Sequence, residues 1–177
     1  MELGLKTRIG FRPMKPNFKT IDYRGGVVSF EIPDDWKEEY KPKGGGTFYE
    51  DRPESGTLRL HVLGFSSTTG RSSEDTLRRL DAKEPFEKLK CGLHMKRYVK
   101  KAEEDGEVLS LYRWEIRIPV PPVDWRMACF TYTIVAGQEA DPVIREELDL
   151  VDEIIHAARF STASGITGDY YPESEQP

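Results

Sequence analysis

Three histidines and two cysteines are the residues in this chain best suited to metal binding or nucleophilic catalysis. His61, His94 and His156 fall in three different predicted elements, and none has a second ligand at the short spacing typical of a metal site. Cys91 and His94 are separated by two residues, a spacing that rarely aligns a thiol with an imidazole on a loop or strand. We therefore predict no metal site, no cofactor and no catalytic residue.

Two loops and three acidic clusters also carry residue types used in phosphate binding or acid–base catalysis. Lys43 precedes the glycines at 44–46, the reverse of the order in a phosphate-binding loop. The loop 68–73 could hold an anion at the start of a helix, although an ordinary capped loop accounts for the same residues. The acidic clusters at 38–39, 50–51 and 103–105 fall in predicted loops or turns. Solvent reaches such carboxylates, whereas acid–base catalysis needs a buried carboxyl group with a raised pKa.

A charged patch on one sheet face is the candidate binding site. Polar residues alternate with apolar ones on the two strands that contain Leu60 and Ile116, and the patch consists of Arg59, His61, Arg113, Glu115 and Arg117. If the two strands are neighbours, positive groups gather there on a chain that is acidic overall. Cross-strand charge pairing on a solvated face is one interpretation, and a docking surface for an acidic protein is the other. Leu109 and Leu111 share this face and, unless a helix covers them, would form an amphipathic groove better suited to a peptide than to a metabolite.

Charge and hydropathy argue against two classes of partner. The chain has 177 residues, a net charge of −5 and a pI of about 5.4, so it lacks the overall basic character of a nucleic-acid-binding protein. No apolar run approaches the roughly 18 residues that a membrane-spanning helix needs. The first eight residues lack the apolar stretch of a secretory signal, and two cysteines do not form a disulfide framework. We therefore predict a cytoplasmic protein that binds another protein or a peptide.

Length and composition predict one α+β domain over residues 18–160. Residues 1–17 carry four cations and two prolines without any periodicity, which indicates a flexible basic arm. Residues 161–177 are rich in Ser, Thr and Gly and then acidic, a composition typical of a disordered tail.

The predicted strands follow a simple order. Strands at 18–23 and 27–32 flank the turn Arg24-Gly25-Gly26, Pro33 ends the second strand, and Trp36 folds back over its end. Further strands are predicted at 47–50, 58–62, 95–103, 108–120 and 126–136. The last three are long and joined by short loops, which favours an antiparallel meander.

Two helices complete the prediction. Ser72 or Ser73 can cap a central helix with Leu77 and Leu80 on its apolar edge, and Pro85–Lys90 is predicted as a second helical turn. A longer amphipathic helix begins at the N-cap residue Asp141 and runs toward Phe160. The predicted fold class is therefore α+β, a mainly antiparallel meander sheet packed by a long C-terminal helix and a shorter central helix.

Four segments carry a resemblance to a known superfamily. They are the motif Phe-Glu-Ile-Pro-Asp-Asp-Trp at 30–36, the strand 58–65, the strands within 108–136, and the helical segment 149–155 before Phe160. Together and in this order they resemble the PsbP/Mog-like α/β/α sandwich superfamily. That group includes a photosystem extrinsic protein, a Ran-binding nuclear import factor and many bacterial domains of unknown function.

The resemblance implies a non-enzymatic scaffold that docks other proteins, and one bacterial branch of the group serves as chaperones for apolar segments of secreted toxins. No site motif defines the whole group, and the long connection Ile118–Trp125 departs from its pattern. No binding residue is therefore transferred.

Three functions are consistent with these features. The first is a non-catalytic protein-binding module. The second is a small-ligand carrier or enzyme with a cleft lined by the sheet aromatics Tyr112, Trp114 and Tyr132. The third is a chaperone or immunity protein for a secreted bacterial toxin.

Overall fold

Two antiparallel sheets and two α-helices make up the part of the chain that the computed structural model describes, residues 17–42 and 45–164. The strands, in chain order, are β1 (Phe18–Tyr23), β2 (Val28–Pro33), β3 (Lys37–Lys41), β4 (Gly45–Tyr49), β5 (Thr57–Ser66), β6 (Glu87–Lys88), β7 (His94–Glu104), β8 (Glu107–Val120), β9 (Asp124–Val135) and β10 (Arg159–Phe160). The helices are α1 (Ser73–Asp81) and α2 (Pro142–Ala157). A short 3₁₀ helix, Gln138–Ala140, precedes α2.

A small sheet with the order β1-β2-β10 holds the opening hairpin. Its register runs from Phe18 opposite Pro33 to Tyr23 opposite Val28. Gly25 and Gly26 have φ values of 65° and 90°. Glycine adopts this left-handed region without steric cost, so the predicted tight turn is confirmed.

The large sheet has the order β3-β4-β5-β9-β8-β7-β6. The meander of β7, β8 and β9 is confirmed, and β5 pairs with the far side of β9 over its whole length. Trp114 donates from Nε1 to Asp152 of α2, whereas Arg117 binds Asp81 of α1. Because side chains at 114 and 117 point to opposite faces of a strand, the two helices lie on opposite sides of the large sheet.

The core lies between the large sheet, the small sheet and α2. Phe30 of β2 makes edge-to-face contacts with Phe48 and Phe130, at centroid distances of 5.2 and 5.6 Å. Val151 and Ile155 of α2 are fully buried on this side. Trp36 is also buried, as predicted, and its carbonyl accepts a hydrogen bond from Lys19 Nζ. One face of the large sheet is therefore closed, and among the described helices α1 alone crosses the opposite face.

Three sequence predictions were wrong in detail. Residues 37–41 form the strand β3, although Glu38 and Glu39 had been assigned to a loop; β3 is an exposed edge strand, where charged residues are tolerated. Residues 85–90 contain β6 rather than a helical turn, since 87–88 pair with the start of β7. The last helix ends at Ala157, because Ala158 has extended backbone and 159–160 pair with β2.

The two ends of the chain are described only in part. The predicted basic arm, 1–17, lies outside the described residues except for Asn17. Residues 161–164, the start of the predicted tail, lie against Arg126, which donates to the carbonyls of Ser161 and Ala163. Residues 165–177 lie outside the described part.

Candidate functional site

The open face of the large sheet, the side that faces away from α2, carries all five residues of the predicted patch. Arg59 and His61 lie on β5, whereas Arg113, Glu115 and Arg117 lie on β8. The two strands are not neighbours, as the prediction supposed, because β9 lies between them. The pairing register nevertheless places the patch residues in rows across the three strands.

The first row is Arg59, Thr131 and Arg113. Two strand spacings separate the backbones at the ends of this row by roughly 10 Å, a distance that two arginine side chains can bridge around one acidic group. Arg59 is exposed and has no ion pair with any described residue. Arg113 is half-buried, its Nη2 lies 3.9 Å from Glu115 Oε1, and its buried Nε has no hydrogen-bond partner in the described chain. The row therefore has more positive charge than the fold itself neutralises.

Tyr98 of β7 extends this row and organises the surrounding cations. It lies opposite Arg113, and its hydroxyl donates to Glu115 Oε1 at 2.5 Å. Lys96, Lys100 and Arg113 lie over its ring at 5.4, 5.3 and 5.8 Å from the centroid. Burial, and then the hydrogen bond to Glu115, raises the pKa of Tyr98 to about 12. Tyr98 is thus a neutral aromatic platform for positive charge.

Sequence reasoning missed Tyr98 and Lys100. The signal was present in the alternation of β7, where His94, Lys96, Tyr98 and Lys100 share one face. Its use required knowing that β7 pairs with β8 in the register that sets Tyr98 beside Arg113.

Arg117 holds α1 to the sheet and is not free to bind a partner. Its guanidinium donates to Asp81 at 2.9 Å and to Glu84 at 3.2 Å. It also lies over the ring of Phe86, 4.5 Å from the centroid. Its side chain is only 12% exposed. Arg117 of the predicted patch is therefore inaccessible to a partner, because α1 covers that end of the face.

His61 and Glu115 flank Cys129 in the second row. Burial lowers the pKa of His61, and the charges of Arg59, Arg24 and Arg113 lower it further. Burial and the nearby Glu115 raise the pKa of the Cys129 thiol. A cysteine nucleophile needs the reverse, a lowered thiol pKa beside a protonated base. This row contributes a neutral imidazole to the face rather than an activated thiol.

The remaining motifs have structural roles. Gly45 lies in β4, where an added Cβ would sit 2.2 Å from the carbonyl oxygen of Leu60, so packing accounts for this glycine. Ser72 caps α1 by accepting from Asp75 N at 3.1 Å. His94 hydrogen-bonds the Asp81 carboxylate, an acidic partner that the sequence pattern did not reveal. No group of three or more potential metal ligands occurs within 17–42 and 45–164.

The aromatics proposed as a cleft belong to the core. Trp114 and Tyr132 are fully buried, and Tyr112 is half-buried. Of the two leucines predicted to form an amphipathic groove, Leu109 lines a groove of about 520 Å³ on the open face together with Thr133 and Val135, whereas Leu111 does not line it. Apolar contact area is thus available next to the cationic row.

Comparison with known proteins shows the fold. No protein-family model and no curated protein matches the chain. A solved structure from Bacteroides thetaiotaomicron is similar over 81% of this chain, with a TM-score of 0.53 and 17% identity. The chain spans about half of that protein, 48% of its length.

Two further solved structures have the same architecture. LpqN, which is involved in cell envelope biogenesis of Mycobacterium tuberculosis, matches 74% of this chain and 81% of its own, with a TM-score of 0.53 and 11% identity. A variant of the protein Mog1 matches 86% of this chain and 100% of its own, with a TM-score of 0.51 and 11% identity. The PsbP/Mog-like fold is therefore confirmed, and at these identities the likeness concerns the fold alone. No helix in the described residues is long and apolar enough to cross a membrane.

Proposed function

We propose that this protein is a binding module that docks an acidic segment of another protein on the open face of its large sheet. The observation that carries the proposal is the row Arg59–Thr131–Arg113, in which Arg59 has no ion pair with a described residue and Arg113 Nη2 lies 3.9 Å from Glu115 Oε1. The chain as a whole carries a net charge of −5, so this concentration of cations runs against its overall charge. An arginine pair separated by a hydroxyl group suits a carboxylate, which guanidinium groups bind through paired hydrogen bonds.

The face also favours an extended peptide over a small molecule. Lys100 and Leu111 are paired across β7 and β8, and Leu111 is paired in turn with Thr133. The groove of about 520 Å³ lies beyond this row, toward Leu109 and Val135. A segment that alternates acidic and apolar residues would place its carboxylates over the arginines and its apolar side chains in the groove.

The state of the thiols supports the cellular setting that we propose. Cys91 is an exposed free cysteine, and Cys129 is a buried one. An exposed free thiol is better preserved in a reducing compartment, which supports a cytoplasmic location. The aromatic side chains proposed to line the cleft of a ligand carrier are part of the core. The toxin-chaperone function rests on fold likeness alone, which does not identify a function because one fold hosts many functions.

A selection from a library of random linear peptides tests the proposal. We expect the wild-type protein to enrich peptides containing Asp or Glu, with binding weakened by added salt because the contacts are exposed charges. The best peptide is then titrated against Arg59→Glu and Lys100→Glu, two exposed positions, and against Arg145→Ala on α2 as a control on the opposite side of the sheet. Affinity should fall about tenfold or more in the first two variants and stay unchanged in the control. Selection of peptides without acidic residues, or equal binding by all the variants, would contradict the proposal.

A further inference from the structure

The outer edge of β7 is the longest unpaired strand edge in the described part of the chain. β6 pairs only with His94 and Met95, so no described strand pairs with the outer side of β7 from Lys96 to Glu104. Residues 99–104 are all exposed, and Val99 is 52% exposed. A long unpaired edge offers backbone donors and acceptors to another strand.

The β7–β8 turn fixes which backbone groups point outward. Asp105 and Gly106, with φ values of 51° and 83°, form a two-residue turn that makes Glu104 and Glu107 the closing pair. The closing pair is hydrogen-bonded, so the even-numbered residues of β7 bond to β8 and the odd-numbered ones point outward. The outward groups of β7 are therefore those of residues such as Val99.

The charges along this edge are segregated instead of mixed. Lys96 and Arg97 stand at its beginning, Lys100 and Lys101 follow in its middle, and Glu103 and Glu104 stand at its end. The two glutamates have no ion-pair partner among the described residues. Scattered lysines would simply discourage pairing, whereas a basic half followed by an acidic half is complementary to itself when a second copy runs antiparallel.

We propose that two copies of this chain associate through their β7 edges, in antiparallel register about a two-fold axis at Lys100. In this register Lys96 of one copy faces Glu104 of the other. Arg97 of one copy likewise faces Glu103 of the other. Because the backbone groups of both residues point outward, these two residues form a backbone hydrogen-bonded pair across the interface. The register also sets the Lys100 residues of the two copies opposite each other, which is an unfavourable contact. A shift of the register by two residues would remove this contact but would place other cations of the two copies opposite each other.

Intrachain contacts moderate the expected affinity. Lys96 already lies 3.2 Å from Glu84, and Arg97 lies 3.1 Å from Asp152. Lys96 and Arg97 thus each have a carboxylate partner within their own chain, and the second copy adds a further carboxylate to each of them. We expect a reversible dimer that is populated at a protein concentration of roughly 100 µM.

Analytical ultracentrifugation of the full chain over a concentration series tests for the dimer. Val99→Pro removes one outward N–H and leaves the β8 ladder intact, so it should abolish the dimer while the melting temperature stays near that of the wild type. Glu104→Lys and Lys96→Glu should each weaken self-association about tenfold or more, because opposite charges become like charges twice per dimer. An equimolar mixture of these two variants should recover association, since each heterodimer restores both ion pairs.

One variant tests the register itself. Lys100→Ala removes the like-charge contact at the two-fold axis and should tighten the dimer, whereas any other register predicts no gain. A wild-type protein that stays monomeric at roughly 200 µM overturns the proposal and leaves the edge for a strand of a different protein. A dimer that persists in Val99→Pro, or a variant mixture that fails to associate, overturns it as well.

Discussion

Breaking the ion pair between Arg52 and Glu147 should destabilise the fold far more than the loss of a surface pair. Arg52 Nη2 lies 2.5 Å from Glu147 Oε2, and Glu147 is only 7% exposed. Removal of one partner from a buried pair costs about 3–5 kcal/mol. The Arg52 side chain is 27% exposed, however, so water screens part of the charge. We therefore expect Arg52→Ala to lower the free energy of unfolding at pH 7 by about 2–3 kcal/mol.

The cost of Arg52→Ala should depend on pH. Burial raises the pKa of Glu147, and the charge of Arg52 acts against that rise. Without Arg52 the pKa of Glu147 rises further, whereas the unfolded chain keeps an ordinary carboxyl pKa of about 4.3. A carboxyl group with a raised folded-state pKa contributes stability that is present below the unfolded value and lost as the pH rises through the folded value. The variant should therefore approach wild-type stability near pH 4 and fall furthest behind at neutral pH.

A second substitution separates the buried charge from other effects of losing Arg52. In the Arg52→Ala background, Glu147→Gln removes the uncompensated charge and should recover about 1 kcal/mol or more at pH 7. Urea unfolding followed by tryptophan fluorescence, at pH 4 and pH 7, measures the wild type and both variants. The reasoning is refuted if Arg52→Ala costs less than about 0.5 kcal/mol, as exposed pairs do, or if the double variant is no more stable than Arg52→Ala.

Two further substitutions test packing at sites where the chain offers a matched control. Gly56→Ala should cost about 1–3 kcal/mol of unfolding free energy by overpacking, since its Cβ would lie 2.0 Å from the ring of Tyr132, whereas Gly64→Ala, with no atom within 4 Å, should be nearly neutral. Arg117→Ala should lower the melting temperature by several degrees, because it removes the side chain that holds α1 to the sheet. Arg78→Ala, on the same helix with a side chain that is 75% exposed, should leave the melting temperature unchanged. Thermal unfolding curves for the four variants check both expectations.

Local patterns predicted most of the elements because each one has a local physical cause. The hairpin turn needs residues that accept positive φ, and Gly25 and Gly26 supply them. Asp141 begins α2 because its side chain accepts a hydrogen bond from the backbone N–H of Val143. Pro142 suits the first helical position because it has no backbone N–H that would need a partner. These rules do not depend on the rest of the chain.

The site could be predicted only in part, because it depends on which strands are neighbours. Alternation along β5 and β8 placed Arg59 and Arg113 on polar faces, but nothing local showed that β9 would separate them. The burial of Arg117 depends on where α1 crosses the sheet, which its own segment does not encode. The strand β10 also depends on tertiary pairing, because its two residues form a strand by pairing with the edge of β2 beside them.

The two proposals concern different surfaces but share a geometric consequence. A two-fold axis through the paired β7 edges would run perpendicular to the sheet, so the open faces of both copies would point the same way. Lys100 and Tyr98 would then lie at the centre of one continuous face, with a row of Arg59 and Arg113 on each side. A partner with two acidic segments would bind such a dimer more tightly than a monomer, because the second contact is intramolecular. Val99→Pro should remove this gain and leave the affinity for a single acidic peptide unchanged. Arg59→Glu should instead lower the affinity for the peptide and leave the dimer intact.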